Sequence, residues 1–183
     1  IARIPRSIIF LGRLDESKRP DVLIEALGIL AQQKLPFTAT FVGGSSKSDA
    51  TYTDKLHVQV ERLEMKDKVI FTGAVPNTET FRYYRPHEIF VNCSRSGMFD
   101  KTIFKAIACG CMVLATSRDF ADLVGPDFIF VDNDSEGLAK KIKEFLNLSP
   151  EQRKKLISVL GNCIKDHSLP VLVDRLTKEM NMK

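Results

Sequence analysis

Residues Ser7 to Lys18 read Ser-Ile-Ile-Phe-Leu-Gly-Arg-Leu-Asp-Glu-Ser-Lys, and this stretch decides the fold because an apolar run passes directly into a helix start. The run Ser7–Leu11 predicts a buried strand. A helix is predicted to open near Ser17, with Pro20 in its first turn, where a missing N–H costs little. A strand, a short loop and a helix in this order are typical of a phosphate-binding turn.

The loop of this turn carries two cations, Arg13 and Lys18. A guanidinium that forks onto phosphate oxygens, an ammonium point charge and helix-terminal N–H groups together favour a diphosphate ligand. The alternative interpretation is that both side chains are solvated surface charges, as most cations are.

Short apolar runs alternate with helical patterns along most of the chain. Such runs are typical of parallel strands buried on both faces. We therefore predict an α/β domain, a Rossmann-like, three-layer parallel sheet with helices on both faces, in which a single domain covers residues 1–183. The predicted strands are Ser7–Leu11, Phe37–Val42, Val69–Thr72, Glu88–Asn92, Met112–Ala115 and Phe128–Val131. The predicted closing helices are Ser135–Leu148, Pro150–Asp166 and Ser168–Met182.

A second loop-to-helix junction follows the fourth predicted strand, from Ser94 to Gly110. Gly97 frees the backbone to turn, and Asp100 or Thr102 is suited to cap the helix. The outward N–H groups of this junction predict a nest for an anionic or hydroxyl-rich group, facing the Arg13 loop at the carboxyl edge of the sheet. A purely structural helix start is the alternative.

Composition indicates an ordinary globular protein. Of 183 residues, 44% are hydrophobic and 27% charged, with a formal net charge of +4. This charge is too small to argue for nucleic acid, and no apolar run predicts a membrane span. We expect a cytoplasmic protein. The chain lacks an initiator methionine and starts just before the first strand, as expected for a piece of a longer enzyme. The four cysteines lack paired zinc spacing and predict free thiols, so no metal is expected.

Five motifs occur in the order and spacing of one family, and together they span nearly the whole chain. They are Gly12-Arg-Leu-(x3)-Lys18, Phe41-Val-Gly-Gly44, Val69-Ile-Phe-Thr-Gly-Ala-Val75, Ile89-Phe-Val-Asn-Cys-Ser94 and Phe104-Lys-Ala-Ile-Ala-Cys-Gly110. With them the chain resembles the C-terminal, donor-binding domain of the family 4 (group 1) glycosyltransferases of the GT-B fold, retaining enzymes built from two facing Rossmann-like domains.

The resemblance implies roles for particular residues. Arg13 and Lys18 match the cations that hold the diphosphate of a nucleotide-sugar, and these are the predicted catalytic residues. The predicted substrate-binding residues are Gly12 and Gly43 in the nucleotide pocket, Thr72 and Val75 beside the base, Ser96, Gly97, Met98, Phe99, Asp100, Lys101 and Thr102 around the sugar and distal phosphate, and Lys105 at the position where the family contacts the ribose. No cofactor is implied, since the UDP- or GDP-linked donor is itself the substrate.

The chain departs from the family pattern at two positions. The family has two glutamates separated by seven residues, one touching the donor sugar and one the ribose hydroxyls, and the matching positions here are Gly97 and Lys105. An ammonium offers donors only, so Lys105 does not accept hydrogen bonds from ribose hydroxyls. Asp100 and Lys101 are candidates to take over the sugar contacts.

The predicted function is transfer of a hexose from a nucleoside-diphosphate sugar to a hydroxyl acceptor, with retention, when the chain is joined to an N-terminal acceptor domain; the fragment alone is expected to be inactive. The alternative is a catalytically degenerate GT-B-like binding module. A receiver-type domain is disfavoured because no acidic cluster follows the first strand. Lysines on the late helices add an expectation of peripheral association with the inner membrane face. His57, His87 and His167 lack the neighbours of a catalytic pair.

Overall fold

The sheet has five parallel strands. The computed structural model describes residues 2–45, 50–94 and 100–165. The strands are β1 (Ser7–Leu11), β2 (Thr38–Val42), β3 (Val69–Gly73), β4 (Ile89–Asn92) and β5 (Met112–Ala115). They pair in the order β3-β2-β1-β4-β5, and every pair is parallel. The predicted Rossmann-like α/β sheet is confirmed.

Helices cover both faces of this sheet. They are α1 (Pro20–Gln32), α2 (Ala50–Arg62), α3 (Phe81–Tyr84), α4 (Lys101–Ala108), α5 (Arg118–Val124), α6 (Ser135–Leu146) and α7 (Pro150–Lys165). Helix α1 packs between α2 and α6, while α4 packs against α3 and α7. Within the described ranges, no helix has both the length and the apolar character needed to cross a bilayer.

The core lies along the sheet, where the residues of β4 and of the edge strand β5 are all buried. Three phenylalanines stack across β1, β2 and β3: the ring centroids of Phe10 and Phe41 lie 5.6 Å apart, and those of Phe41 and Phe71 lie 5.1 Å apart. Offset stacking of this kind adds to the stabilisation from burial alone. It fixes the side-chain layer on which the loops at the carboxyl ends of these strands rest.

The sixth predicted strand, Phe128–Val131, is wrong. A 3₁₀ turn occupies 126–128, and only Ile129 bridges to Ala115. Gly125 has φ 87°, and the following Pro126 has no N–H, so the chain turns where a strand would have to begin. Phe128 and Phe130 are buried, which explains the apolar run without a strand.

The start of the first helix also differs from its prediction. Helix α1 begins at Pro20 and not near Ser17. The Asp15 carboxylate accepts the N–H groups of Ser17 and Lys18, both at 3.1 Å, so this stretch forms a side-chain-capped turn. Arg19 then takes a left-handed conformation with φ 50°, which separates the turn from the helix. The predicted helix Ser168–Met182 lies outside the described residues.

An ion pair and neighbouring hydrogen bonds lie at the amino edge of the sheet. The Glu88 carboxylate pairs with the Arg153 guanidinium and accepts the Arg6 N–H at 3.0 Å. Arg153 also donates to the Leu146 carbonyl at 2.9 Å. These contacts tie the entry to β1 to the end of α6 and the start of α7.

Candidate functional site

Close backbone approach joins the loops after β1, β2 and β3 at the carboxyl edge. Gly43 has φ 152°, and a Cβ placed there would lie 1.8 Å from the Gly12 carbonyl oxygen. The Gly43 N–H donates to the Gly73 carbonyl at 3.0 Å, and the Leu14 N–H donates to the Gly44 carbonyl at 3.0 Å. Only glycine fits at position 43, because any side chain would occupy the space of the neighbouring loop.

A cleft of about 250 Å³ opens where these loops meet. The structure brings four of the predicted site residues together along it, Gly12, Arg13, Gly43 and Val75. Its full lining is Leu11, Gly12, Arg13, Val42, Gly43, Gly44, Ala74, Val75, Asn77 and Thr80. Thr72 is not among these residues; its hydroxyl donates to the Gly73 carbonyl at 3.2 Å.

Arg13 is an accessible cation of this cleft. Its side chain is 65% exposed, and its Nε lies 3.2 Å from Oδ2 of Asp15, which is 8% exposed. The other oxygen of Asp15 accepts the Ser17 hydroxyl at 2.6 Å. Asp15 therefore holds the turn through one oxygen and the Arg13 guanidinium through the other.

Lys18 points instead toward the loop before α4. Its ammonium lies 2.6 Å from Asp100 Oδ2 and donates to Ser94 Oγ at 3.1 Å. An ammonium has three N–H groups, so one remains for a ligand oxygen. Lys18 is absent from the described lining of the cleft that holds Arg13. The structure thus places the two predicted catalytic cations in the same loop after β1 but gives them different carboxylate partners.

Asp100 is the N-cap of α4. Of the two residues predicted to cap this helix, Asp100 and Thr102, the structure therefore selects Asp100. Its Oδ1 accepts the Thr102 N–H at 3.0 Å and the Thr102 hydroxyl at 2.8 Å. Its Oδ2 also lies within 3.2 Å of Asn92 Nδ2 and 3.4 Å of Ser94 Oγ. Burial alone would raise the pKa of Asp100, but the hydrogen bonds from Lys18 and Thr102 outweigh it and lower the pKa to about 2.

These contacts fill the acceptor positions of Asp100. A carboxylate offers about four lone-pair sites, and donors from Lys18, Asn92, Ser94 and Thr102 surround it. Asp100 therefore holds the Lys18 loop against the start of α4, and little of its acceptor capacity is left for a sugar hydroxyl.

The remaining predicted residues of this junction divide into two groups. Ser96, Gly97, Met98 and Phe99 lie outside the described residues. Lys101 is exposed at the first position of α4. Lys105 lies further along the same helix, and its ammonium donates to the Asn77 side-chain oxygen.

Sequence reasoning assigned no side-chain role to three polar residues of this edge, Asn77, Asn92 and Ser94. Asn92 and Ser94 stand at the carboxyl end of β4, where ligand-binding and supporting side chains concentrate in parallel sheets, and that position was the available signal. Asn77 follows β3 in the same way. Its partner, Lys105, is distant in sequence, so nothing local indicated the contact.

Arg19 forms a second charged cluster beside the turn. Its guanidinium pairs with Asp21 at 2.9 Å and donates to Asn133 Oδ1 at 2.5 Å, and Tyr52 donates its hydroxyl to Asp21 at 2.6 Å. The hydrogen bond to Asp21 raises the pKa of Arg19 despite partial burial. The cluster ties α1 to α2 and to the loop before α6, which supports the left-handed backbone at Arg19.

His57 and His87 make structural contacts, and His167 lies outside the described residues. His57 packs on the Phe71 ring with centroids 4.2 Å apart. His87 lies between the Tyr83 carbonyl at 2.6 Å and Thr40 Oγ1 at 2.9 Å, and burial lowers its pKa. All four cysteines are free thiols. The part of the chain that the structure describes contains no group of three His, Cys, Asp or Glu side chains suited to a metal ion.

A larger cleft, of about 480 Å³, lies beyond the end of β5 between Thr116 and Lys141. The Thr116 hydroxyl donates to the Ser94 carbonyl at 2.7 Å, which connects this cleft to the Lys18 and Asp100 contact. We assign the candidate site to the smaller cleft because the joined glycine loops and Arg13 lie there.

A parallel sheet with helices on both faces and glycine loops at its carboxyl edge defines a Rossmann-like class of α/β domain. The chain belongs to the glycosyl transferases of group 1, because the model of that family matches residues 5–148. Its fold is that of the C-terminal domain of GT-B glycosyltransferases.

Curated relatives extend well beyond this chain. It is 24% identical over 155 residues to an alpha-monoglucosyldiacylglycerol synthase of Streptococcus pneumoniae, which covers 84% of the chain and 34% of that protein. It is 31% identical over 112 residues to a mannosylfructose-phosphate synthase of Agrobacterium fabrum, covering 60% of the chain and 25% of the relative. The chain therefore spans a quarter to a third of these relatives.

Solved structures agree with the fold. Anabaena Alr3699/HepE, in complex with UDP and glucose, superposes with a TM-score of 0.79 at 22% identity, covering 97% of this chain and 48% of that one. The C-terminal domain of a group 1 glycosyl transferase (LpcC) of Francisella tularensis gives 0.79 at 21% identity, covering 88% and 86%.

Proposed function

We propose that this chain is the donor-binding domain of a retaining hexosyltransferase that uses a nucleoside-diphosphate sugar. In the proposed reaction, the bond between the anomeric carbon and the diphosphate oxygen breaks, and a bond to the acceptor hydroxyl oxygen forms. The diphosphate leaves with the electron pair of the broken bond, and the acceptor proton passes to it or to a base. Retention rests on the resemblance to family 4.

The observation that carries the proposal is the cleft at the junction of the glycine loops. The backbones of Gly12 and Gly43 approach each other without intervening side chains, which leaves the N–H donors of the Arg13 guanidinium exposed in the cleft. Charge-assisted hydrogen bonds from such donors suit the negative charge that develops on a leaving diphosphate. Membership of a glycosyltransferase family, and the complex of the similar protein Alr3699/HepE with UDP, support this ligand class.

We assign the two cations different roles in stabilising the leaving diphosphate. Arg13, exposed in the cleft, contacts the diphosphate directly. Lys18 contributes its remaining N–H while Asp100 and Ser94 hold the other two. Because these side chains donate charge-assisted hydrogen bonds to the leaving group, we propose that the reaction needs no metal ion. The residues from Ser96 to Thr102 are proposed to orient the donor sugar.

The acceptor is proposed to bind to a second domain, which the chain's coverage of about half of Alr3699/HepE supports. Exposed lysines at Lys140, Lys154 and Lys155 support a peripheral contact with anionic lipid. A relative named for a glucosyldiacylglycerol product agrees with a lipid acceptor at such a surface.

Calorimetric titration of the 183-residue chain tests the proposal. UDP-, GDP- and ADP-glucose and the corresponding free diphosphates are the ligands. We expect the nucleotide-sugar of one base to bind with millimolar affinity or tighter. The corresponding nucleoside diphosphate is expected to retain most of this affinity. Absence of binding by all of them contradicts the proposed function.

A specific observation favours a second function, that of a non-catalytic binding module. Each predicted catalytic cation is paired with a carboxylate, Arg13 with Asp15 and Lys18 with Asp100, and Lys105 stands at a position where the family has an acceptor. As a binding module, the chain keeps the fold but does not take part in transfer from a nucleotide-sugar donor. The same titration discriminates, because a module of this kind shows no heat with any nucleotide-sugar.

A further inference from the structure

Asn77 lines the cleft, and a hydrogen bond to its side chain fixes the orientation of the amide. The Lys105 ammonium donates to Asn77 Oδ1. An ammonium has no acceptor, so it must take the amide oxygen and not the nitrogen. Nδ2 is left on the other side of the amide, and it donates to no residue that the structure describes.

The position of Lys105 along α4 places the Asn77 amide about one helical turn from the contact between Lys18 and Asp100. Lys105 follows Lys101, the first residue of α4, by four residues, and at 1.5 Å per residue this is about 6 Å along the helix axis. Lys18 and Asp100 meet at the start of that helix. Asn77 lines the same cleft as Arg13, so a nucleoside diphosphate whose phosphates contact Arg13 has its pentose within reach of the Asn77 amide.

We propose that Asn77 is a further ligand-binding residue, which donates from Nδ2 to a pentose hydroxyl oxygen, and that Lys105 is the positioning residue that orients its amide. This inference rests on the proposed function and adds to it a residue and a direction of hydrogen bonding. Asn77 Nδ2 is a hydrogen-bond donor, so it recognises the pentose through the lone pairs of the pentose hydroxyl oxygens.

The test compares a nucleoside diphosphate with its 2′,3′-dideoxy form. The ligand is whichever of UDP, GDP and ADP binds the parent chain most tightly, and calorimetry gives both dissociation constants. We expect the parent to bind the ribose form about fivefold or more tightly, the value of one net hydrogen bond. Asn77→Ala is expected to bring this ratio close to one by weakening the ribose form alone.

Variants of Lys105 test the positioning role. Lys105→Met frees the Asn77 amide to rotate and is expected to lower the ratio, whereas Lys105→Arg keeps a donor for Oδ1 and is expected to restore it. Lys55→Met, on the exposed face of α2, is the matched charge control and is expected to leave the ratio unchanged.

The outcomes separate this inference from the proposed function. A parent that binds a diphosphate but does not distinguish the dideoxy form, or a ratio that survives in Asn77→Ala, overturns the inference and leaves the function standing. Binding of none of the three diphosphates overturns both. Equal loss of the ratio in Lys105→Met and Lys105→Arg overturns the positioning role.

Discussion

The ammonium of Lys18 lies 2.6 Å from Oδ2 of Asp100, and this contact joins the turn after β1 to the start of α4. The two side chains are 25% and 13% exposed. Asp100 also caps α4, so one carboxylate serves a helix terminus and a tertiary ion pair. The predicted anion nest at this junction therefore already contains an anionic group of the protein itself.

Removing one partner of this pair should destabilise the chain more than removing both charges. Lys18→Met leaves the Asp100 carboxylate without its cation, and we expect a loss of about 2–3 kcal/mol in the free energy of unfolding. The double variant Lys18→Met, Asp100→Asn should recover part of that loss, because the amide still caps α4. Urea unfolding of the two single variants and the double variant measures the coupling; additive losses would contradict the pairing.

Acid should weaken the fold through Asp100. Its pKa is about 2 in the folded chain against an ordinary 3.8, so the unfolded state takes up the proton first as the pH falls. The stabilisation, about 2 kcal/mol, is present above pH 4 and is lost as the pH falls toward 2. Unfolding free energies between pH 5 and 2 should therefore fall less steeply for Asp100→Asn than for the parent. Asp67→Asn, at an exposed turn, is the control, and an unchanged slope in Asp100→Asn would refute the assignment.

Loss of the Arg13 guanidinium should weaken nucleotide binding. Charge-assisted phosphate contacts are worth about 1.5–3 kcal/mol, so we expect Arg13→Ala to raise the dissociation constant of the bound nucleoside diphosphate by about tenfold or more. Arg62→Ala is a matched control, because Arg62 is also 65% exposed and pairs with a carboxylate, that of Glu25. In the enzyme that contains this domain, sugar transfer by Arg13→Ala within about threefold of the parent would count against the role.

A methyl group at Gly43 should disrupt the cleft. Gly43→Ala places Cβ against the Gly12 carbonyl at 1.8 Å, which forces the two loops apart. We expect a loss of about 3 kcal/mol or more and loss of nucleotide binding. Gly73→Ala shares the positive φ but meets nothing within 4 Å, so it should cost only about 1 kcal/mol. Thermal unfolding and titration measure both, and similar effects of the two variants would show that the contact is unimportant.

The sequence predicted the strands that fill the core because each is an apolar run bounded by turn residues. The same signal failed at Phe128–Val131, where the burial of Phe128 and Phe130 produces an apolar run, but Gly125 and Pro126 bend the chain away from the sheet. Apolar periodicity reports burial, and it reports a strand only where the backbone is free to pair.

The candidate site was predictable where its chemistry is local. Gly12, Arg13 and Gly43 lie in loops whose position follows from the strand ends. The contact of Lys18 with Asp100 joins residues 82 positions apart, and that of Lys105 with Asn77 joins residues 28 apart. Pairings of this kind depend on how two loops meet in three dimensions, so the sequence indicated the charges without their partners.

The pairing of Arg13 with Asp15 and of Lys18 with Asp100 leaves these four groups with no net formal charge. Such neighbouring opposite charges cancel at a distance, so they give an approaching nucleotide little electrostatic steering. Encounter at this edge should consequently depend only weakly on ionic strength, and discrimination among nucleotides should reside in how slowly each one leaves.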